Sequence, residues 1–500
     1  MRKLFNMDWE KYSRHYRIVL FLSLVVFAFA FQGSRGLWDP DEGRYTNIAL
    51  EMLYHNDFIH PMHNPEQPHY TKPPLTYWLI SASIAIGGKS EWSVRSPYAI
   101  AFVLTVLLIY VVGLSYLPDR PWLPAFIYAT SFLPYLAANI VTTDTLLVLW
   151  ETLAVTAFIA SGAVKNSVRH PLLIIVMWVS FGLAFLTKGP PGLLPLLPII
   201  VFVAWEYGRQ ALRNLFPVIG ILGFLVVGFS WYIAVVISSP ELFDYFIKGE
   251  FINRVATNKH HRYGEWYGAL VVYVPAFLVG SLPWGLFLTG RVNSIKQFFG
   301  SNFRRKIRQI DTDTRFLLMW LILPMFVFIL ARSRMPLYVL PLFVPLSLLI
   351  ARAISPRINL ARTKIRYWLG MCVLALLVIR WLFSVIPHHK DARALAEDIR
   401  VQTQQEYRKL IFVNHEPRYG LSLYINAEIG KVYLTDNRPR PSGGARKNMA
   451  AELAEKTDPR LFFVEASSFE AFKKIVHLSG KSIKTLGQAQ EFTLAELVNK

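Results

Sequence analysis

Carboxylates and cations crowd the stretch "WDPDEGRY" (38–45), where Asp39, Asp41 and Glu42 stand beside Arg44 and Tyr45. Residues two apart cannot share one helix groove, but at a helix start one acid can cap while its neighbour faces a cavity. "DEGRYTNIALEML" continues with apolar residues at mixed helical spacing, so Asp39 or Asp41 suits an N-cap. The alternative chemistry is general-base catalysis by Asp41, whose proton affinity would rise with partial desolvation. Spacing alone leaves both roles open.

A second acid, Asp144, closes "NIVTTD" and opens an apolar run. An ionisable residue at the mouth of such a run is a functional candidate, with helix capping by Thr142, Thr143 or Asp144 as the plainer alternative. Cations recur in similar settings: Lys72 in "HYTKPP", Lys188 in "TKGPP", Arg254 and Arg262 in "GEFINRVATNKHHRYGEW", and Arg334 in "RSRMPLY". Together they would form a cationic ring suited to phosphate, with Arg as a planar fork and Lys as a point charge. For any one of them a membrane-lipid headgroup is an equal partner. His260 and His261, with Glu250 or Glu265, leave a metal site open against ordinary hydrogen bonding. Cys372 is the sole cysteine, which excludes an internal disulfide and a cysteine-based metal site.

The elements that must position these residues are membrane helices. Of the 500 residues 53% are hydrophobic, and the mean hydropathy is positive. About eleven apolar stretches are long enough to cross, near 18–34, 96–117, 121–138, 145–163, 171–187, 190–207, 214–238, 268–290, 315–331, 336–352 and 366–387. The net charge of +20 would suit nucleic acid, but Lys and Arg fall between the apolar runs, as membrane insertion requires, so nucleic acid is excluded as the partner. Arg2, Lys3, Arg14 and Arg17 place the amino terminus in the cytoplasm, with the run from Ile18 retained as a first span. An odd number of spans then puts the carboxyl terminus outside, "RRKIR" (304–308) inside, and all the candidate chemistry in outer loops. "PPLTYWLISASIAIGG" (73–88) is short and opens on two prolines, so it reads as an interfacial helix.

After Pro387 the composition changes. "KLIFVNHE", "KVYLTD" and "RLFFVEA" read as strands, with helical patterns near 390–407 and 469–476. The expected organisation is a membrane module over 1–387, including a first outer loop at 34–95 with interfacial helices, and a small outer α/β domain over 388–500.

The ordered set "WDPDEGRYTNIALEML", "DFIHP", "YTKPPLTYW", the Asp144 region, "LTKGP", "HHRYGEWYGALVVYVPAFLVGSLPW" and "RMPLYVLPLF" resembles the bacterial lipid A aminoarabinose transferases. More distantly it resembles the protein O-mannosyltransferases, within the GT-C class of membrane glycosyltransferases. The resemblance implies a polyprenyl-phosphate sugar donor, inversion at the anomeric carbon on the periplasmic face of the bacterial inner membrane, and lipid A or another envelope glycan as acceptor. It implies Asp41 as catalytic carboxylate and Asp144 as a second acid. Lys72, Arg262, Tyr338 and Arg334 would meet the donor phosphate. Glu42, Arg44, Tyr45, Tyr70, Lys188, Arg254 and His261 would line the cavity. No cofactor is required by this chemistry, and a divalent metal stays open. Where those transferases commonly carry Glu before the Lys of "KP", this chain has Thr71.

Two rivals lead to different expectations. A transporter or flippase would show repeated halves and polar residues near mid-bilayer, and neither is clear in the sequence. Another lipid-linked sugar transferase, acting on protein or on another glycan, would share the motifs.

Overall fold

Inside a bilayer the backbone has no water to bond, so apolar runs must satisfy their own amides, and helices do so. The computed structural model describes residues 14–163, 170–246, 263–289, 309–357, 363–403, 405–434, 448–454 and 459–499. Among these, seven helices are long and apolar enough to cross a membrane: Glu91–Tyr116, Pro171–Lys188, Pro190–Arg213, Val218–Ser238, Thr312–Leu330, Pro336–Ile354 and Arg366–Val385. The other four expected spans are also helical but shorter or interrupted: Arg14–Phe29, Trp122–Ala129 with Phe132–Ala137, Asp144–Ala160, and Gly268–Gly280 with Leu286–Thr289. The chain is a polytopic α-helical membrane protein.

The interruptions have local causes. Between Ala129 and Phe132 the chain leaves the helix, and Thr130 Oγ1 and Ser131 Oγ donate to the carbonyls of Phe126 and Ile127 at 2.6 and 2.7 Å. Trp284 Nε1 donates to Thr130 Oγ1 at 2.9 Å, which ties the break to a second interrupted segment. Ser131 Oγ thus supplies the Ile127 carbonyl with the bond that the Ser131 amide gives to Tyr128 instead, while Phe126 keeps its bond from the Thr130 amide at 2.9 Å. Gly208, at φ 76°, bends the segment Leu196–Arg213 where only glycine adopts that angle without strain.

Two compact units emerge, Met1–Ala30 with Ser96–Trp381, and Phe31–Arg95 with Leu382–Lys500. The first holds a continuous apolar core around Phe102, Tyr135, Phe158, Phe181, Phe316 and Phe343. One cation is buried there: Arg380 stacks 3.7 Å over the Tyr135 ring, and donates to the carbonyls of Ala28 and Ala30 at 3.0 and 3.2 Å and to that of Tyr135. It neutralises a helix C-terminus whose carbonyls have no further turn to bond.

The second unit is α/β. β1 (Met62–Asn64) and β2 (Gln67–Pro68) form a small hairpin. A five-stranded sheet follows from β3 (Lys409–Val413), β4 (Glu428–Val432), β5 (Arg460–Glu465), β6 (Lys481–Ala489) and β7 (Phe492–Asn499), in the order β4-β3-β5-β7-β6. β3 lies parallel to β4 and β5, while β7 runs antiparallel to β5 and β6. The three parallel strands are almost wholly buried, β3 and β5 through near-continuous apolar runs and β4, "EIGKV", with Lys431 among its buried residues. β6 and β7, which carry no such run, are the strands that the sequence reading passed over.

The segment after the first helix is woven into this unit. Trp38 bridges to Asp391, Asp39 N donates to Lys390 O, and Ala392 N donates to Leu37 O. The segment expected at the interface forms a helix, Leu75–Gly87, whose 13 residues are too few to span.

Candidate functional site

In the second unit the helix Asp41–His55 begins at Asp41, and Pro40 occupies the N-cap position without a side-chain bond. Neither Asp39 nor Asp41 caps this helix, which corrects the capping expectation. Proline suits the position because its fixed φ is already near-helical. Asp41, at the first turn, gains from the helix dipole and keeps its carboxylate partly exposed, paired with Arg44 Nη2 at 2.5 Å. The Arg44 guanidinium stands 5.5 Å from the Tyr45 ring centroid, and Tyr45 lies 5.6 Å from Tyr77. Asp41, Arg44 and Tyr45 are therefore brought together as one acid, one cation and one aromatic wall.

Asp39 and Glu42 take different environments. Asp39 is 3% exposed and accepts the Gly420 amide at 3.0 and 3.3 Å. Burial pushes its carboxyl up to about 7, against partial compensation by the Gly420 amide and Arg418. Glu42, also buried, is gripped by Arg35 at 2.6 and 2.9 Å and by Arg95 Nη2 at 2.9 Å, and accepts the Trp38 amide at 2.9 Å. Burial raises its proton affinity, but the two guanidiniums outweigh this and hold the carboxyl well below the usual range. Both Glu42 oxygens are thus spent on folding the loop, where the sequence suggested a cavity.

Tyr70 is buried and Lys72 half-buried in the segment that leads from β2 into Leu75–Gly87. Thr71 Oγ1 lies 2.7 Å from His69 Nε2, and His69 packs 4.5 Å from His63. Among the described residues no three His, Cys, Asp or Glu side chains are grouped to hold a metal. Arg254, His260, His261 and Arg262 lie outside the described residues, as do Glu250 and the "RRKIR" run.

In the first unit, Asp144 is the first residue of Asp144–Ala160 and Lys188 the last of Pro171–Lys188. Their side chains pair directly and are 8% and 7% exposed. Thr143 holds the N-cap position without a side-chain bond, so the acid serves Lys188 rather than its own helix. Lys188 Nζ also sits 4.5 Å over the ring of Tyr338, in the 3-10 turn Pro336–Leu342. A buried cation between a carboxylate and an aromatic face has an opposite charge and a π face in place of water. Arg334, expected at the phosphate, instead donates to the carbonyls of Tyr263, Glu265 (2.8 Å) and Ile329 (2.9 Å), so both its Nη atoms pin backbone.

The sequence reading missed Glu151. It lies seven residues beyond Asp144 in the same helix and is 3% exposed. The signal was present as one acid inside the apolar run "LLVLWETLAV".

The chain is similar to known proteins in sequence and fold. The family model described as dolichyl-phosphate-mannose-protein mannosyltransferase matches residues 71–233. An undecaprenyl phosphate-alpha-4-amino-4-deoxy-L-arabinose arabinosyl transferase of Enterobacter sp. (strain 638) is 27% identical over 392 residues, 75% of this chain and 67% of that protein. One of Edwardsiella ictaluri is 30% identical over 322 residues, 63% of this chain and 55% of that protein. The matched stretches thus span between about half and two thirds of these relatives' length. ArnT from Cupriavidus metallidurans, solved bound to undecaprenyl phosphate, superposes with a TM-score of 0.74 at 17% identity, covering 97% of this chain and 98% of that one. The likeness extends through both the helical and the α/β units.

Proposed function

We propose that this chain, a GT-C membrane protein resembling the bacterial aminoarabinose transferases, is an inverting glycosyltransferase. It moves a sugar from a polyprenyl-phosphate donor to lipid A or a related envelope acceptor. The observation that carries this reading is the sequence likeness, over three quarters of the chain, to a protein named as an undecaprenyl phosphate-aminoarabinose transferase. The membrane is the bacterial inner membrane, with the amino terminus cytoplasmic and the α/β unit periplasmic.

The chemistry follows from the residue types. The bond between the anomeric carbon and the donor phosphate breaks while a bond to the acceptor oxygen forms on the opposite face. Cations that neutralise the departing lipid phosphate make it a better leaving group and favour an oxocarbenium-like centre. In this scheme Lys72, Arg262 and the Lys188–Tyr338 pair serve the phosphate, and Tyr45, Tyr70, Arg254 and His261 the cavity. Asp41 takes the proton of an acceptor hydroxyl, or orients the acceptor where that group is a phosphate already anionic at neutral pH. Asp144 is the second acid. Arg334 and Glu42 are left out of the substrate set because both Nη atoms of the one and both carboxylate oxygens of the other are engaged elsewhere.

The test is direct transfer. Purified protein incubated with undecaprenyl-phosphate sugars and envelope acceptors is expected to glycosylate the acceptor, and Asp41→Asn to abolish this with an unchanged melting profile. No transfer by the native chain, or full turnover by the variant, would overturn the reading.

A further inference from the structure

Lys72 is carried by a segment held from both sides. After it come Pro73 and Pro74, the second of which takes the N-cap position of the helix Leu75–Gly87. A proline ring fixes its own φ and drives the residue before it to an extended backbone, so Lys72 has little freedom on its carboxyl side. On the amino side, Thr71 Oγ1 and His69 Nε2 share a hydrogen bond of 2.7 Å that ties residue 71 back to residue 69.

His69 is itself fixed. It is 7% exposed, its amide donates to Pro61 O at 2.7 Å, and its ring meets those of His63 and Tyr77 edge-on at 4.5 and 6.3 Å. His63 in turn stacks on Tyr419 at 4.6 Å, and its carbonyl accepts Asn47 Nδ2 at 2.6 Å. Asn47 belongs to the helix that starts at Asp41. A series of contacts from Asn47 through His63 and His69 to Thr71 thus joins the Asp41 helix to the residue before Lys72, all inside the second unit.

Lysine ends in a point charge on a flexible four-carbon stem, and the ammonium reaches one place reliably only if the backbone beneath it is fixed. We infer that His69 and Thr71 are positioning residues for Lys72: their side-chain hydrogen bond holds the backbone of residues 69–72 in the form that presents the ammonium to the donor phosphate. The inference rests on the role proposed above for Lys72 at that phosphate. Both residues act through Lys72 and neither touches a reacting atom.

Titration of undecaprenyl phosphate into the detergent-solubilised chain tests this. Thr71→Val removes the hydroxyl at nearly constant size, and His69→Phe removes the ring nitrogens while leaving an aromatic ring against His63 and Tyr77. Each is expected to weaken binding about three- to tenfold, the scale of ordering one long side chain on binding. The two together are expected to weaken it no further, since both remove the same bond. Thr71→Ser and His69→Gln keep a hydrogen-bonding group for that bond and are expected to stay within about twofold of the native chain. A loss that acts through Lys72 must disappear where Lys72 is absent, so Thr71→Val is expected to change nothing in a Lys72→Ala background. Native affinity in Thr71→Val, a loss that persists without Lys72, or additive losses in the double variant overturns the inference. Lys72→Ala alone reads the parent role: native affinity there removes Lys72 from the phosphate, and this inference with it.

Amide hydrogen exchange supplies a reading without ligand. Release of the bond is expected to raise exchange about three- to tenfold in a peptide covering residues 69–77 in Thr71→Val, and to leave it unchanged in Thr71→Ser. Native exchange in Thr71→Val contradicts the assignment even where Lys72 proves essential for donor binding.

Discussion

Lys188 at the last position of its helix forms an ion pair with Asp144 at the first position of the helix before it in the chain, with both side chains over nine-tenths shielded. Each charge stands at the helix end whose dipole favours it. Lys188→Met strips the cation from the buried Asp144 carboxylate. The expected loss is roughly 3–5 kcal/mol, the range for removing one partner of a buried pair. It is read as a lower melting midpoint in detergent, and an unshifted midpoint would show that the pair adds nothing to the fold.

The Glu42 cage predicts a separation of stability from chemistry. Its carboxylate balances Arg35 and Arg95, which also donate to the carbonyls of Gln32, Arg35 and Gly36. Glu42→Gln leaves two buried guanidiniums facing a neutral amide, at a cost again on the order of 3–5 kcal/mol. Limited proteolysis is expected to cut between residues 31 and 95 sooner in the variant. If the loop stays as resistant as in the native chain, the cage is not what fixes it.

Asp39 and Glu51 give the fold a pH dependence of defined sign. Burial is the main cause that lifts each carboxyl from its ordinary value to about 7. Between the unfolded value near 4 and the folded value near 7 the folded chain holds more protons than the unfolded one. Stability is therefore greatest below that window and falls as pH rises through it. The melting midpoint of the native chain is expected to rise as pH drops from 8 to 5, with a smaller rise in Asp39→Asn/Glu51→Gln. Identical slopes in the two proteins would refute this, since the substituted groups cannot titrate.

The apolar runs and the strands β3 and β5 were legible because lipid and a buried parallel sheet both impose near-continuous hydrophobicity, as in "KLIFV" and "RLFFVE", whereas the expected strand "KVYLTD" meets β4 only at Lys431 and Val432. β6 escaped because partly buried and exposed positions succeed one another irregularly along it, so a strand such as "KSIKTLGQA" has no clean period. At the site, charged residues between the apolar runs were visible, but their jobs were not. Glu42 and Arg334 stand one residue and four residues from Asp41 and Tyr338, yet both are absorbed by backbone and salt-bridge duties that depend on partners far along the chain. Arg35 and Arg95, sixty positions apart, close on Glu42 only once folded.

Tyr338 offers a way to divide one side chain into two functions. Its ring faces the Lys188 ammonium at 4.5 Å, an attraction that phenylalanine retains and leucine does not. The proposed role at the donor phosphate belongs instead to the hydroxyl. Tyr338→Phe is then expected to keep the native melting midpoint and to weaken undecaprenyl-phosphate binding several-fold, the scale of about 1 kcal/mol for one lost hydrogen bond. Tyr338→Leu is expected to lose stability as well, because Lys188 sheds its aromatic seat. Lys72→Ala provides the comparison: loss of a charge-assisted contact to phosphate, about 1.5–3 kcal/mol, predicts a donor affinity lowered roughly ten- to hundredfold. Binding of undecaprenyl phosphate by titration calorimetry separates these cases. Native affinity in both Tyr338→Phe and Lys72→Ala would remove both residues from the phosphate site, and a Phe variant as unstable as the Leu variant would show that the ring is not what seats Lys188.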